Sequence, residues 1–347
     1  MKKCKYNKIY VLCPAGVKTG GTELLHQLVY QLNRQGAKAY LVYKNNVDRN
    51  ITESFEEYID SWIQIEDIED IKENLLIVPE VYCPDVKLFH EIQTAVWWLS
   101  VDNFLARYAG FSGHIFRKGL FLGIMKSFWL LFTGKYQDRR LDMKDVNLHF
   151  CQSYYAIDYI KKIGIDKKDI YYLSDYINDI YIESVEKGIN AKRENIVLYN
   201  PKKGYRFTKK IIAKSPNISW VPLSNMSNSQ VRSMMNKAKV YVDFGEHPGK
   251  DRIPREAAAS GCCVITGKNG SAYYQEDVNI PYKFKFDRSN SSIEMILKTI
   301  NKCLQNYEQY VCEFHTYRQC ITGEKKKFMR DIEDLFFVEM PDAPTTT

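Results

Sequence analysis

Short apolar runs recur along the chain, most of them followed by a loop and then by apolar residues at helical spacing. The first is Ile9–Cys13. The loop "PAGVKTGG" follows it, and then "TELLHQLVYQLNRQG", where Leu24, Leu25, Leu28, Val29 and Leu32 share one helical face and Gly36 supplies the stop. "AKAYLVY" comes next as a strand, which completes a strand–glycine loop–helix–strand unit, the opening of a parallel sheet. Further strand-like runs lie at "NLLIVPE", "TAVWWLS" and "VNLHFCQ".

The second half repeats this grammar. "NIVLYN" (195–200) leads into the basic loop "PKKGYR" and a helical "FTKKIIAK"; "ISWVPL" leads into "SNSQVRSMMNKA"; "KVYVDFG" leads into a polar loop and a short helix; "CCVITG" closes the set. The pattern predicts two α/β, Rossmann-like domains in tandem, facing a central cleft. Their expected bounds are 1–173 and 195–323, with a linker over 174–194, polar and aromatic without clean periodicity. A terminal helix is expected over 324–340, packing back on the first domain, and a disordered tail over 341–347.

Composition narrows the function classes. An apolar share of 45% with 14% aromatic residues excludes disorder as the main state. A formal net charge of +7, from 49 basic and 42 acidic residues, suits anionic small molecules or an anionic membrane better than nucleic acid, which calls for a denser basic face. Nine scattered cysteines, without a C-x-x-C pair or a His/Cys cluster, read as the reduced, mostly buried thiols of a cytoplasmic protein. The opening "MKKCKYNKIYVLCPAG" has too short an apolar run for a signal-peptide core, and no stretch reaches the roughly 20 residues of a membrane span.

The most informative stretch is "FGEHPGKDRIPREAAASGCCVITG" (244–267). In open α/β sheets ligands bind outside the carboxyl ends of the strands, so the loop after "KVYVDF" lies where a ligand would. Pro254 suits the first position of a helix, whose N-terminal amides would seat a phosphate. Gly249 is a donor-binding candidate in the same loop, and Lys250, Arg252 and Arg255 add full charges. Glu256, one turn inside, is matched to hydroxyl groups such as those of a ribose. A diphosphate flanked by sugars fits this combination. The alternative is a solvated basic loop capping a core helix.

These residues resemble the donor-binding segment of the large retaining glycosyltransferase family with the GT-B fold: a loop and short helix bearing a glutamate, then small residues, a glycine and a strand. The resemblance is specific over about 200–267. It implies that Glu256 binds the ribose of a nucleotide sugar. The family carries a second, catalytic glutamate eight positions earlier, where this sequence has Pro248; Glu246 and His247 are the nearest candidates, in a loop about two residues longer. The resemblance also places a basic group at the diphosphate, for which Lys202, Lys203 and Arg206 in "NPKKGYR" are the candidates, and sets a glycine loop, here Gly20 and Gly21, across from the donor. An ordinary strand-to-helix turn remains the alternative for that glycine pair.

"AVWWLSVDNF" (95–104) carries Asp102 at a strand end, a candidate for an acceptor hydroxyl or for the general base of an inverting enzyme. Trp97 and Trp98 read as core, and His26 and His149 as structural. In the stretch 113–136, "GHIFRKGLFLGIMKSFWLLFTGKY", 12 of the 18 residues 115–132 are large and apolar, too many for a solvated helix, with Arg117, Lys118, Lys126 and Lys135 among or beside them. This suits a segment in the membrane interface; a buried interdomain or dimer helix is the alternative. The expectation is therefore a peripheral, cytoplasmic, bacterial transferase on the inner face of the cell membrane. It moves a hexose from a nucleotide-diphosphate sugar to a glycan or lipid-linked saccharide in surface polysaccharide assembly, and takes no nucleic acid. No D-x-D triplet occurs, so the diphosphate is expected to be neutralised by side chains with no metal and no cofactor. The rivals are an epimerase or phosphorylase on the same fold, and a nucleotide-sugar-binding scaffold.

Overall fold

The structure, a computed structural model, describes residues 2–44, 55–59, 61–188 and 192–339. The chain divides into two units. The first holds the chain up to Gln152, Ala156–Asp175 and everything from Lys326; the second holds Ser153–Tyr155 and Tyr176–Lys325.

The first unit begins with β1 (Lys2–Cys4), β2 (Ile9–Pro14), α1 (Gly20–Arg34), β3 (Ala39–Lys44), β4 (Trp62–Ile63), β5 (Leu75–Pro79) and β6 (Gln93–Trp98). It continues with α2 (Val101–Tyr108), α3 (Gly110–Lys118), α4 (Leu120–Phe132), β7 (Leu148–Cys151), α5 (Tyr154–Lys162) and β8 (Ile170–Tyr172). Seven strands form one parallel sheet in the order β4-β3-β2-β5-β6-β7-β8. From β2 the chain winds outward through β3 and β4 and then returns to β5 on the other side, so the order reverses between β2 and β5. All five residues of β5 are buried, as expected of a parallel strand covered on both faces. The helical face read from the sequence of α1 (Leu24, Leu25, Leu28, Val29, Leu32) is buried. The helix starts on a capping box between Thr19 and Thr22, and Gly36 follows it with a φ of +90°.

The second unit runs α6 (Asp179–Gly188), β9 (Glu194–Tyr199), α7 (Tyr205–Ala213), β10 (Ser219–Pro222), α8 (Asn228–Lys237), β11 (Ala238–Asp243), α9 (Arg252–Ala259) and β12 (Cys263–Gly267). After these come β13 (Lys285–Phe286), α10 (Ile293–Gln305) and α11 (Tyr307–Cys312). Five parallel strands order as β10-β9-β11-β12-β13, with the reversal between β9 and β11. Each sheet is thus doubly wound, and each has one switch point.

The sequence reading differs from the structure where elements are short. The two- and three-residue strands β1, β4, β8 and β13 are too brief for a period to register. Within 174–194, read as a linker, the chain forms α6. The terminal helix, α12 (His315–Phe336), starts earlier than the sequence suggests. It gives way to β14 (Phe337–Glu339), which pairs antiparallel with β1. Phe328 of α12 stacks on Trp97, their ring centroids 6.5 Å apart. The tail 341–347 lies outside the described residues.

Candidate functional site

Three loops leave the carboxyl ends of adjacent strands in the second sheet, following β9, β11 and β12. Two glycines fix how closely they meet. Gly204 has a φ of +63°, and a Cβ there would lie 2.1 Å from the carbonyl oxygen of Phe244, so only glycine lets the β9 loop press on the β11 loop. Gly270 has a φ of +51°, and its Cβ would lie 2.1 Å from the His247 carbonyl oxygen. Hydrogen bonds close the second contact: the Ser271 amide donates to the His247 carbonyl at 2.9 Å, and its hydroxyl to the Gly249 carbonyl at 2.6 Å.

At the reversal between β9 and β11 a chain of polar groups runs from core to surface. The Tyr241 hydroxyl donates to Asp243 Oδ2 at 2.8 Å, and Asp243 Oδ1 accepts the Gly245 amide at 2.8 Å. His247, fully buried at a φ of +49°, lies between two carboxylates: Nε2 is 3.6 Å from Asp243 Oδ1, and Nδ1 is 3.1 Å from Asp251 Oδ2. Asp251 Oδ1 in turn accepts from Lys203 Nζ at 2.6 Å. Burial opposes charge on His247, yet the two carboxylates outweigh it and hold the imidazole above its ordinary pKa. Burial likewise pushes the Asp251 carboxyl up, but His247 and Lys203 reverse this and hold it at about 2. His247 is thus the ring that bridges the two carboxylates of this site, and its protonated form is the one they favour. Asp243, His247 and Asp251 also bring ligand atoms within 4.8 Å of one another, as metal ligands do. Lys203 already supplies a cation to Asp251, so a metal there would compete with it.

The candidate donor residues divide into groups. Lys203 stands at the reversal, side chain 37% exposed, with Lys202 and Arg206 exposed beside it at the start of α7. That helix begins at Gly204 with no side-chain cap and no acidic residue in its first turn, so its first amides and three cations stand together, the groups an anion would meet. The α9 terminus differs. The helix starts at Arg252, two residues before the position expected, and Pro254 falls in its third position, where its missing amide hydrogen is still no loss. Its N-cap is Asp251, a carboxylate already at the positive end.

Lys250 belongs to a buried cluster: its ammonium lies 2.8 Å from Glu324 Oε1, and Arg255 Nη1 lies 2.7 Å from Glu324 Oε2. Burying two cations requires that shared carboxylate, so Lys250 and Arg255 hold the loop to α12 instead of lining its surface. Arg252 donates to the Tyr176 carbonyl at 3.2 Å, and Glu256 is half-buried on α9. Glu246 is exposed and forms a bidentate pair with Arg288, at 2.7 and 2.9 Å. His247, the other catalytic candidate in this loop, is buried with both ring nitrogens facing carboxylates, which gives it a positioning role.

Sequence reasoning missed Asp243, Asp251, Arg288 and Glu324. Asp251 carried a usable signal, an acid inside a basic loop; Arg288 follows β13, itself too short to recognise.

In the first unit Gly20 and Gly21 open α1, and a Cβ on Gly21 would meet only Leu99 Cδ1 and Thr19 Oγ1, at 3.6 and 3.9 Å. Asp102 occupies the first turn of α2, after the Ser100 cap, a position that also stabilises the helix. Trp97 and Trp98 are fully buried, and the Trp97 indole donates to the Leu173 carbonyl at 3.0 Å. His26 and His149 are buried and hydrogen-bonded, and burial lowers both to about 4. Glu80, at the carboxyl end of β5, went unnoticed in the sequence. It accepts the Leu99 amide at 3.1 Å, and burial raises its carboxyl to about 7.

Neither a protein-family model nor a curated protein matches this chain. Solved structures do. HepE of Anabaena, in complex with UDP and glucose, superposes with a TM-score of 0.62 at 11% identity, over 96% of this chain and 99% of that one. A glycosyltransferase from Rickettsia africae gives 0.55 at 13% identity, over 95% and 99%. The lipopolysaccharide outer core galactosyltransferase WaaB gives 0.55 at 12%, over 94% and 98%. This chain has their fold, two Rossmann-like domains in the GT-B architecture.

Proposed function

We propose that the protein is a glycosyltransferase that moves a hexose from a nucleoside-diphosphate sugar to a glycan or lipid-linked saccharide, in bacterial surface polysaccharide assembly on the inner face of the cell membrane. The observation that carries this reading is the anion seat at the switch point of the second sheet: Lys203, Lys202 and Arg206 around the uncapped start of α7, pressed by Gly204 onto the β11 loop. A diphosphate meets free amides and ammonium groups there, and Glu256 supplies a carboxylate for ribose hydroxyls. HepE, of the same fold, holds UDP and glucose, which supports the same ligand class here.

In the proposed reaction the bond from the anomeric carbon to the diphosphate oxygen breaks, and the acceptor oxygen bonds to that carbon from the same face. The diphosphate leaves with the electron pair and takes the acceptor proton, so the configuration is retained. Side-chain cations and helix amides stabilise the departing charge without a metal.

A second reading, nucleotide-sugar binding without transfer, draws on the loop's own candidates: Glu246 is tied to Arg288, and His247 is buried. Thermal denaturation with UDP, GDP, CDP, ADP and dTDP, with and without magnesium, tests the shared premise. One nucleotide should stabilise the wild type without metal and Glu256→Ala much less; no stabilisation by any of them would refute the donor site. Release of that nucleotide from its sugar form, with water or a saccharide as acceptor, then separates transfer from binding alone.

A further inference from the structure

We infer that the hairpin of α3 and α4 is a docking element that seats its apolar surface in an anionic lipid bilayer. The inference deepens the membrane location proposed above, but rests on exposure and charge, not on the transfer reaction.

The two helices meet along a seam of small residues, with one aromatic pair beside it, Phe111 of α3 edge-on to Phe128 of α4 at 5.5 Å between ring centroids. A Cβ on Gly113 would lie 1.9 Å from the Leu105 carbonyl oxygen of α2, and one on Gly123 would lie 2.5 Å from the Ile115 Cα of α3. Backbone therefore packs on backbone, and Ser127 continues the seam, buried, its hydroxyl donating to the Gly123 carbonyl at 2.9 Å. With glycine and serine at the seam, most of the large side chains of α4 stay outside it. Leu120, Phe121, Leu122, Met125, Trp129 and Phe132 are all exposed, Phe121 at 74% and Phe132 at 98%, and Phe116 of α3 joins them. Folded proteins rarely present a contiguous apolar surface of this kind to water unless something covers it.

Charge identifies the cover. From Asn103 to Gln137 there is no acidic residue, whereas Arg107, Arg117, Lys118, Lys126 and Lys135 are all basic. A second copy docking on this hairpin would meet the exposed Arg107, Lys118 and Lys135 with the same positive charge of its own. An anionic headgroup layer offsets them, with the apolar side chains below it in the acyl boundary and Trp129 suited to the level between. No helix among the described residues is long and apolar enough to cross a membrane, so the hairpin lies in one leaflet.

The test is co-sedimentation of the full chain with phosphatidylcholine vesicles, with and without phosphatidylglycerol, alongside light scattering without lipid. The wild type should be monomeric, should sediment with the anionic vesicles, and should do so less in high salt. The double variant Phe121→Ser/Phe132→Ser, which touches only exposed positions, should keep the wild-type melting temperature and bind those vesicles about a hundredfold more weakly. Lys118→Glu/Lys135→Glu should lose the preference for anionic lipid. Equal sedimentation of all variants, no binding by the wild type, or a wild-type dimer that Phe121→Ser/Phe132→Ser converts to monomer would overturn the proposal. Nucleotide stabilisation should be unaffected in every variant, so failure here leaves the donor site standing.

Discussion

The two sheets each carry a glycine-bearing loop at the switch point, yet they use glycine differently. After β9, Gly204 sits at positive φ with another loop's carbonyl where its side chain would be; at the start of α1, Gly21 has room for a methyl group. The second sheet's reversal gathers charge, with a histidine between two carboxylates and a lysine beyond. At the first sheet's reversal stands Glu80, a carboxyl raised toward neutrality by burial, and burial lowers two histidines of that unit, His26 and His149, to about 4. One switch point sets three cations around an uncapped helix start. The other, on the residues described, is built to pack. A glycine loop at a strand end is therefore not a ligand site by itself; what its missing side chain makes room for decides that.

Four experiments would break or sharpen this contrast. The largest effect belongs to Gly204→Ala, which adds backbone strain to a 2.1 Å clash and should cost the second unit about 3 kcal/mol or more in denaturant unfolding. Gly21→Ala should stay within about 1 kcal/mol, and could stabilise α1. Similar losses at the two positions would erase the distinction.

Next, Lys203→Glu should weaken nucleotide binding about a hundredfold in calorimetry while the fold persists, because it sets a carboxylate against both Asp251 and the incoming phosphate.

The histidines give a third contrast, readable by NMR titration: His26 and His149 should titrate near 4, and His247 above its usual range. The signs for stability oppose each other. His26 and His149, depressed in the fold, contribute fully above the unfolded value near 6.5 and lose that contribution as pH falls toward 4. His247, raised in the fold, contributes below 6.5 and loses it as pH rises through its folded pKa. Through these three histidines, acidification from pH 7.5 to 5 should weaken the first unit and favour the second, with Glu80 opposing the loss in the first.

The smallest effect is Glu80→Gln. With its carboxyl raised to about 7, Glu80 makes folding less favourable as pH climbs from about 4.5 to 7, and the amide should remove that slope without altering stability near pH 5.

Much of the fold was legible in the sequence because long parallel strands are apolar throughout and their helices keep a clear period. Strands of two or three residues were not, since β1 and β14 exist through pairing at opposite ends of the chain. Within the candidate site, Lys203 and Gly204 could be read from their place after a strand. The burial of Lys250 and Arg255 could not, because their shared partner Glu324 lies some seventy positions away, in α12, and no local pattern links them. The sequence shows which charges exist. Only the packing shows which are already neutralised.

The most direct test of the anion-seat account is a crystal structure of the chain grown with whichever nucleoside diphosphate stabilises it. The account predicts the diphosphate at the start of α7, within hydrogen-bond distance of Lys203 Nζ and the first α7 amides, with the ribose hydroxyls near Glu256. A nucleotide bound elsewhere, or a diphosphate held by the α1 glycine loop with Lys203 still paired to Asp251 and making no contact, would contradict it.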